Sequence, residues 1–198
     1  MNVAVVKLGI GNTASVLYAL ERLGARATLT DDPRAIADAE RVILPGVGAA
    51  AHAMAQIARR GLRDALCAFP RPLLGICLGQ QLLFEHSEEG DAAGLARIPG
   101  VVRRLPISHH AVSPHMGWSK LAPLQPHPLL EGVAEGAYGY FVHAYVCPLD
   151  EHTIASAAYG ARFAAMVARG NVMGCQFHPE RSGAVGARIL RNFLDLPC

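Results

Sequence analysis

Three short apolar runs constrain this chain more than any other feature: VAVVKL (Val3 to Leu8), RVILPG (Arg41 to Gly46) and PLLGI (Pro72 to Ile76). Each is too short for a buried helix and shows no polar alternation, the pattern of a strand covered on both faces. Helical patterns separate them. NTASVLYALERLG places Val16, Leu17, Leu20 and Leu23 at helical spacing before a terminating Gly24, and the alanine-rich AAAHAMAQIARRG ends at Gly61. Strand and helix in alternation predict a parallel sheet with helices on both faces. After Glu85 the segments VVRRLPI, GYFVHAYVC, TIASAAYG and RFAAMVARGNVMGCQF are short, β-leaning and punctuated by Gly and Pro. They predict antiparallel hairpins added to the parallel core, and GAVGARILRNFLDL predicts a closing helix. The expected fold class is therefore α/β: a mostly parallel sheet flanked by helices, with added antiparallel hairpins.

A chain of 198 residues suits one core, and no linker, repeat or low-complexity tract divides it, so a single domain over residues 1–198 is expected. The 18 basic and 16 acidic residues are scattered, which argues against an electrostatic footprint for nucleic acid. Five cysteines without a C-x-x-C pair suggest neither a disulfide framework nor a thiolate zinc site. The N-terminal apolar run lacks a basic leader and a small-residue cleavage site, and no stretch has the length of a membrane span. A cytoplasmic protein with no membrane association is the expectation.

Cys77 carries the most chemistry. In Gly75-Ile76-Cys77-Leu78-Gly79 it follows a strand and precedes a helical pattern. A nucleophile in such a turn stands above the sheet, with the next backbone amide available to an oxyanion and a helix start to stabilise a thiolate. Taken alone, the spacing fits a buried core cysteine equally well. In GCQFHPERSG, His178 and Glu180 lie two residues apart. An extended segment there, favoured by Pro179, directs both side chains the same way, as a base and its orienting carboxylate require. Alone, this stretch reads more readily as a surface loop than as a dyad.

GICLGQQLLF and QFHPERSG together resemble the Cys-His-Glu triad of class I glutamine amidotransferases, whose fold is flavodoxin-like. PHMGW (Pro114 to Trp118), YFVHAY (Tyr140 to Tyr145) and LPGVGAA (Leu44 to Ala50) are similar to segments of one branch, the glutaminase subunits of imidazole glycerol phosphate synthases in histidine biosynthesis. The resemblance implies hydrolysis of glutamine to glutamate and ammonia, with Cys77 as nucleophile, His178 as general base and acid, and Glu180 orienting it. It implies an oxyanion hole from Leu78 and the Gly46-Val47 turn, and glutamine binding by Gln81 and Gly48. No cofactor or metal is implied. The implied partner is a separate (β/α)8-barrel cyclase, forming a heterodimer that receives the ammonia and makes imidazole glycerol phosphate and aminoimidazole carboxamide ribonucleotide. It further implies that the PGVG peptide reorients when the liganded partner is present, so the oxyanion hole is expected to be unformed in the chain alone.

The chain departs from that branch at Ala144, where Ser is common, at Lys7, where Asp is frequent, and at NTAS. His109, His110 and His115 match no metal-ligand spacing and are expected in a polar loop near the partner. Gly9-Ile10-Gly11-Asn12 lacks the third glycine of a dinucleotide fingerprint and reads as a tight turn contacting the partner. Trp118, Tyr138, Tyr140, Phe141 and Tyr145 are expected to pack in the core and hairpins. Two alternatives remain: a glutaminase serving another synthase (anthranilate or aminodeoxychorismate), and a non-catalytic subunit that keeps the fold.

Overall fold

The computed structural model of the chain describes residues 2–106 and 112–198. The first part runs β1 (Asn2–Val6), α1 (Thr13–Arg22), β2 (Arg26–Thr30), α2 (Pro33–Asp38), β3 (Arg41–Gly46), α3 (Ala50–Arg59), α4 (Arg63–Ala68), β4 (Leu73–Cys77) and α5 (Leu78–Leu82). Short strands follow: β5 (Phe84–Ser87), β6 (Ala92–Ala93), β7 (Ile98–Arg104), β8 (His115–Lys120), β9 (Ala122–Pro123), β10 (Tyr138–His143) and β11 (Tyr145–Val146). The chain closes with β12 (Thr153–Tyr159), β13 (Ala161–Arg169), β14 (Val172–Cys175) and α6 (Gly183–Asp195).

The main sheet has eight strands in the order β2-β1-β3-β4-β14-β13-β12-β9. Its first five run parallel, and β13, β12 and β9 extend it antiparallel. The expected α/β class with added hairpins is what the chain forms. β3 matches the expected run at both ends, whereas β1 stops at Val6, two residues short, with Leu8 still buried in the turn.

Alternate residues of the parallel strands feed two cores. Val3, Val5, Ile43 and Leu74 meet Val16 and Leu20 of α1 and Ile189, Leu190 and Phe193 of α6 on one face. Ala4, Val6, Val42 and Leu44 meet Ile36 of α2, Ala53 and Ile57 of α3 and Leu66 of α4 on the other. Several elements lie outside the segments read from the sequence, four of them for clear reasons. β2 is an edge strand whose residues are half-buried or exposed, so it offers no continuous apolar run. α2 and α4 have six residues each, fewer than two turns, which leaves helical periodicity nothing to repeat over. β8 pairs with β10 in a separate two-stranded ribbon, and its Gly117 and polar residues hide the alternation.

Two arginines close helix ends from across the chain. Arg41 is buried; its Nε donates to the Phe193 carbonyl at 3.2 Å, and its guanidinium also bonds the Leu196 carbonyl beyond the end of α6. Arg97 donates to the carbonyls of Leu66, Cys67 and Phe69 at 2.6–3.0 Å, closing α4.

Phe193 is fully buried while Tyr18 on α1 is 61% exposed. Phe193→Ala is expected to cost about 3–5 kcal/mol of unfolding free energy by urea titration, and Tyr18→Ala less than about 0.5 kcal/mol. Equal losses would contradict the two-faced core.

Candidate active site

The site forms where β3, β4 and β14 end. In register, Gly46 of β3 stands beside Cys77 of β4, so the Val47-Gly48 turn lies next to the thiol at the carboxyl edge of the sheet. Cys77 takes φ 56° and ψ −111°, a left-handed backbone that a non-glycine residue adopts at a cost of roughly 1–3 kcal/mol. The flanking glycines act through close approach. A methyl on Gly75 would sit 2.5 Å from the Gly79 carbonyl oxygen, and one on Gly79 only 1.8 Å from that of Leu44. α5 is thus pressed onto β3 and β4 with no room for a side chain, and the strained angle falls on Cys77 itself. α5 has five residues, too few to develop the helix dipole that the sequence suggested; what it offers is the free amide of its first residue, Leu78.

His178 reaches the same point from β14. Its amide donates to the Tyr140 carbonyl at 2.9 Å, and Ser182 Oγ donates to its carbonyl at 2.7 Å, so the backbone is held from both sides. The ring Nδ1 lies 2.8 Å from Glu180 Oε1. The expected extended segment continues only through His178, at φ −96° and ψ 97°. Pro179 starts a 3-10 turn over Pro179–Arg181, and that turn brings the carboxylate under the ring. Glu180 Oε2 is buried without a hydrogen-bond partner among the described residues, leaving its charge to act on His178.

Burial disfavours the His178 imidazolium. Hydrogen bonds to Cys77 and Glu180, together with their negative charges, outweigh that penalty and raise its pKa from 6.5 to about 10. A proton is therefore held on the ring between thiol and carboxylate at neutral pH. Burial instead pushes the Cys147 and Cys175 thiols upward, away from the thiolate form. Cys77 Sγ lies 3.6 Å from the Val142 carbonyl and 3.8 Å from the Gln176 amide nitrogen.

Val47, Gly48, Cys77, Leu78, Gln81 and His178 line one cavity of about 130 Å³. That is below the range of roughly 300–1,000 Å³ usual for drug-sized ligands and suits a small polar molecule. Gly46 and Glu180 border an adjoining cavity of about 150 Å³ with Gly11, Asn12 and Arg181. Val47, Val142 and His178 border both. Gln81, which periodicity left open as an exposed helix residue, is buried. Its Nε2 donates to the Tyr145 carbonyl at 3.0 Å and to Gln176 Oε1 at 2.8 Å, which leaves its own carbonyl as the group free to accept. Ala144 lines the cavity, and its carbonyl is tied to the Leu105 amide at 2.8 Å.

Sequence reasoning missed three residues here. Glu89 lines the cavity and also accepts from the Ala50 amide at 2.9 Å at the start of α3; nothing in SEEG distinguishes it from a solvated carboxylate. Gln176 and His143 sit inside apolar or aromatic segments, where nothing local marks them. Two expectations are corrected. His115 is not in a polar loop: it is buried at the start of β8, while His109 and His110 lie outside the described residues. Trp118 and Tyr138 are 54% and 46% exposed, on the face of the β8–β10 ribbon opposite the buried Phe141. Among the described residues no group of three or more His, Cys, Asp or Glu side chains is placed to hold a metal.

Residues 4–196 match the family model for class-I glutamine amidotransferases. The chain is 53% identical over 194 residues to the imidazole glycerol phosphate synthase subunit HisH of Xylella fastidiosa, covering 98% of this chain and 97% of the relative. It is 50% identical over 195 residues to the same subunit of Xanthomonas campestris, covering 98% of both. Among solved structures, a glutamine amidotransferase superposes with TM-score 0.75 at 23% identity over 98% of this chain and 97% of that one. Another from Thermotoga maritima gives TM-score 0.71 at 15% identity over 98% and 96%. These two speak to the fold.

Because the His178 pKa is raised on folding, the pair with Glu180 stabilises the chain fully below pH 6.5, and that contribution is lost as pH rises through about 10. Glu180→Gln is expected to lower the His178 pKa by about 1–3 units, read from histidine NMR titration. Its stability deficit against the parent should then shrink above pH 10. An unmoved pKa would show that Glu180 does not set the charge on His178.

Proposed function

The chain belongs to the class I glutamine amidotransferases, and from that premise we propose that Cys77, His178 and Glu180 hydrolyse the side-chain amide of glutamine to glutamate and ammonia. The observation that carries this reading is the His178 ring, 2.8 Å from Glu180 and lining one small cavity together with Cys77.

The thiolate of Cys77 attacks the carboxamide carbon, and the C=O electron pair moves to oxygen. The amides of Leu78 and of the Gly46-Val47 turn receive that oxyanion; one such donor is worth about 2.7–4 kcal/mol of barrier. His178 gives its proton to the amide nitrogen, the C–N bond breaks, and ammonia leaves a γ-glutamyl thioester on Cys77. Neutral His178 then takes a proton from water as the oxygen adds to the thioester carbon. The C–S bond breaks, glutamate departs, and thiolate and imidazolium are restored. Glu180 holds the ring and its charge throughout. The free carbonyl of Gln81 and the carboxylate of Glu89 are acceptors suited to the α-ammonium of glutamine. Gly48, at φ +89°, lets the peptide after Val47 turn without steric cost, as a reorienting oxyanion donor requires.

We read the ammonia as serving a cyclase partner in histidine biosynthesis, a reading supported by the similarity to relatives named as subunits of imidazole glycerol phosphate synthase. That partner is read as a (β/α)8 barrel, and the protein as cytoplasmic; no helix among the described residues is long and apolar enough to cross a membrane. The exposed Met116, Trp118 and Tyr138 make an apolar face on the β8–β10 ribbon beside the catalytic mouth, the composition of a docking surface. The second cavity, sharing Val47, Val142 and His178 with the first and opening between Gly11, Asn12 and Arg181, suits the exit of ammonia toward that partner.

Glutamate release from glutamine is expected to be low for the chain alone and to rise strongly with the cyclase subunit and its nucleotide ligand. Cys77→Ala should abolish it; persistence in that variant would refute the triad. Trp118→Ala is expected to weaken association with the cyclase about tenfold or more in titration calorimetry. Unchanged affinity would move the interface elsewhere.

A further inference from the structure

His115 and His143 face one another across the β8–β10 ribbon, on the side turned away from Met116 and Trp118. His115 Nδ1 lies 3.0 Å from His143 Nε2, His143 Nδ1 lies 2.9 Å from the Tyr145 carbonyl, and Ser119 Oγ lies 3.1 Å from His115 Nε2. The carbonyl end decides every tautomer. A carbonyl oxygen only accepts, so His143 carries its proton on Nδ1 and presents a bare Nε2. His115 must then donate from Nδ1, and its bare Nε2 accepts from the Ser119 hydroxyl. Both rings are neutral, because an imidazolium here would be buried among aromatic rings with no carboxylate beside it. The surroundings agree. His115 stacks on Tyr159 with centroids 4.1 Å apart and on Phe141 at 5.1 Å, His143 meets Phe163 at 4.8 Å, and burial lowers both histidine pKa values to about 4.

The carbonyl that ends this chain of bonds is the one that Gln81 Nε2 also binds, and Gln81, His143, Ala144 and Tyr145 all line the cavity holding Cys77. We infer that His115 is a positioning residue for glutamine binding: through His143 it fixes the Tyr145 carbonyl, and with it the orientation of the Gln81 amide whose free oxygen faces the substrate. The catalytic part of this inference rests on the glutaminase reading; the tautomers do not. His115 touches neither Cys77 nor the cavity, so its effect falls on substrate affinity and leaves the chemical step nearly alone.

The test has two arms. Long-range proton–nitrogen correlation spectra of the labelled wild-type chain should show both His115 and His143 neutral with the proton on Nδ1. A proton on Nε2 of His143 would overturn the relay, whatever the activity. In the assembled complex with the cyclase and its ligand, His115→Phe keeps the aromatic shape and removes both nitrogens. It is expected to raise KM for glutamine about tenfold with kcat changed less than about twofold. His115→Asn, which restores an N–H at the Nδ1 position, should recover most of that affinity. Equal KM values for the wild type and the Phe variant, or no recovery with Asn, would overturn the positioning role. Absence of glutamate release by the wild-type complex would instead refute the glutaminase reading and leave the spectra to judge the relay.

Discussion

Everything at the site depends on how closely α5 approaches β3. The Leu44 carbonyl and the backbone of Gly79 leave no space for even one methyl between them, and Gly75 is closed in by the same turn. With both neighbours stripped of side chains, the chain reverses within one residue, and the left-handed dihedral of that reversal sits on Cys77. The strain, of order 1–3 kcal/mol, is supported by strands buried on both faces. β4 lies between β3 and β14, and all of its residues are buried. The proposed nucleophile is thereby held at the sheet edge where the Val47-Gly48 turn and His178 also arrive.

A second constraint is electrostatic. Proton and charge are shared along the line from Cys77 through His178 to Glu180, in surroundings that would otherwise strip the imidazole of its proton. The carboxylate matters because it is itself poorly satisfied: one oxygen holds the ring and the other has no partner among the described residues. Histidine has a different fate in the ribbon. His115 and His143, equally buried but without a carboxylate, stay neutral, and their hydrogen bonds become directional. The same residue type thus serves as proton carrier at one place and as a fixed linkage at another, and the neighbours decide which.

Much of this was legible in the chain itself. The parallel core could be read from VAVVKL, RVILPG and PLLGI because strands buried on both faces need continuous apolar runs. G-x-C-x-G and H-P-E marked the proposed catalytic side chains only in combination with the family resemblance, since each alone fits a core cysteine or a surface loop. What escaped was non-local. Glu89 enters the site only because β5 and the turn after it fold back over α3, and its sequence context is that of a solvated acid. His115 and His143 are 28 residues apart and meet only through ribbon pairing, so neither carries a mark of its partner. Trp118 and Tyr138 look like core aromatics by composition, and their exposure follows from which face of the ribbon Phe141 and His143 occupy. The 3-10 turn at Pro179–Arg181 reached the expected pairing of His178 with Glu180 by a different backbone route.

The most direct test of the central claim, that the fold makes one of five cysteines into a nucleophile, is to map modification by a glutamine-analogue electrophile, diazo-oxo-norleucine, in the assembled complex by peptide mass spectrometry. The account predicts an adduct on Cys77 alone, suppressed by excess glutamine and lost in His178→Ala. Labelling spread over the other cysteines, or a Cys77 adduct that forms equally fast without His178, would contradict it.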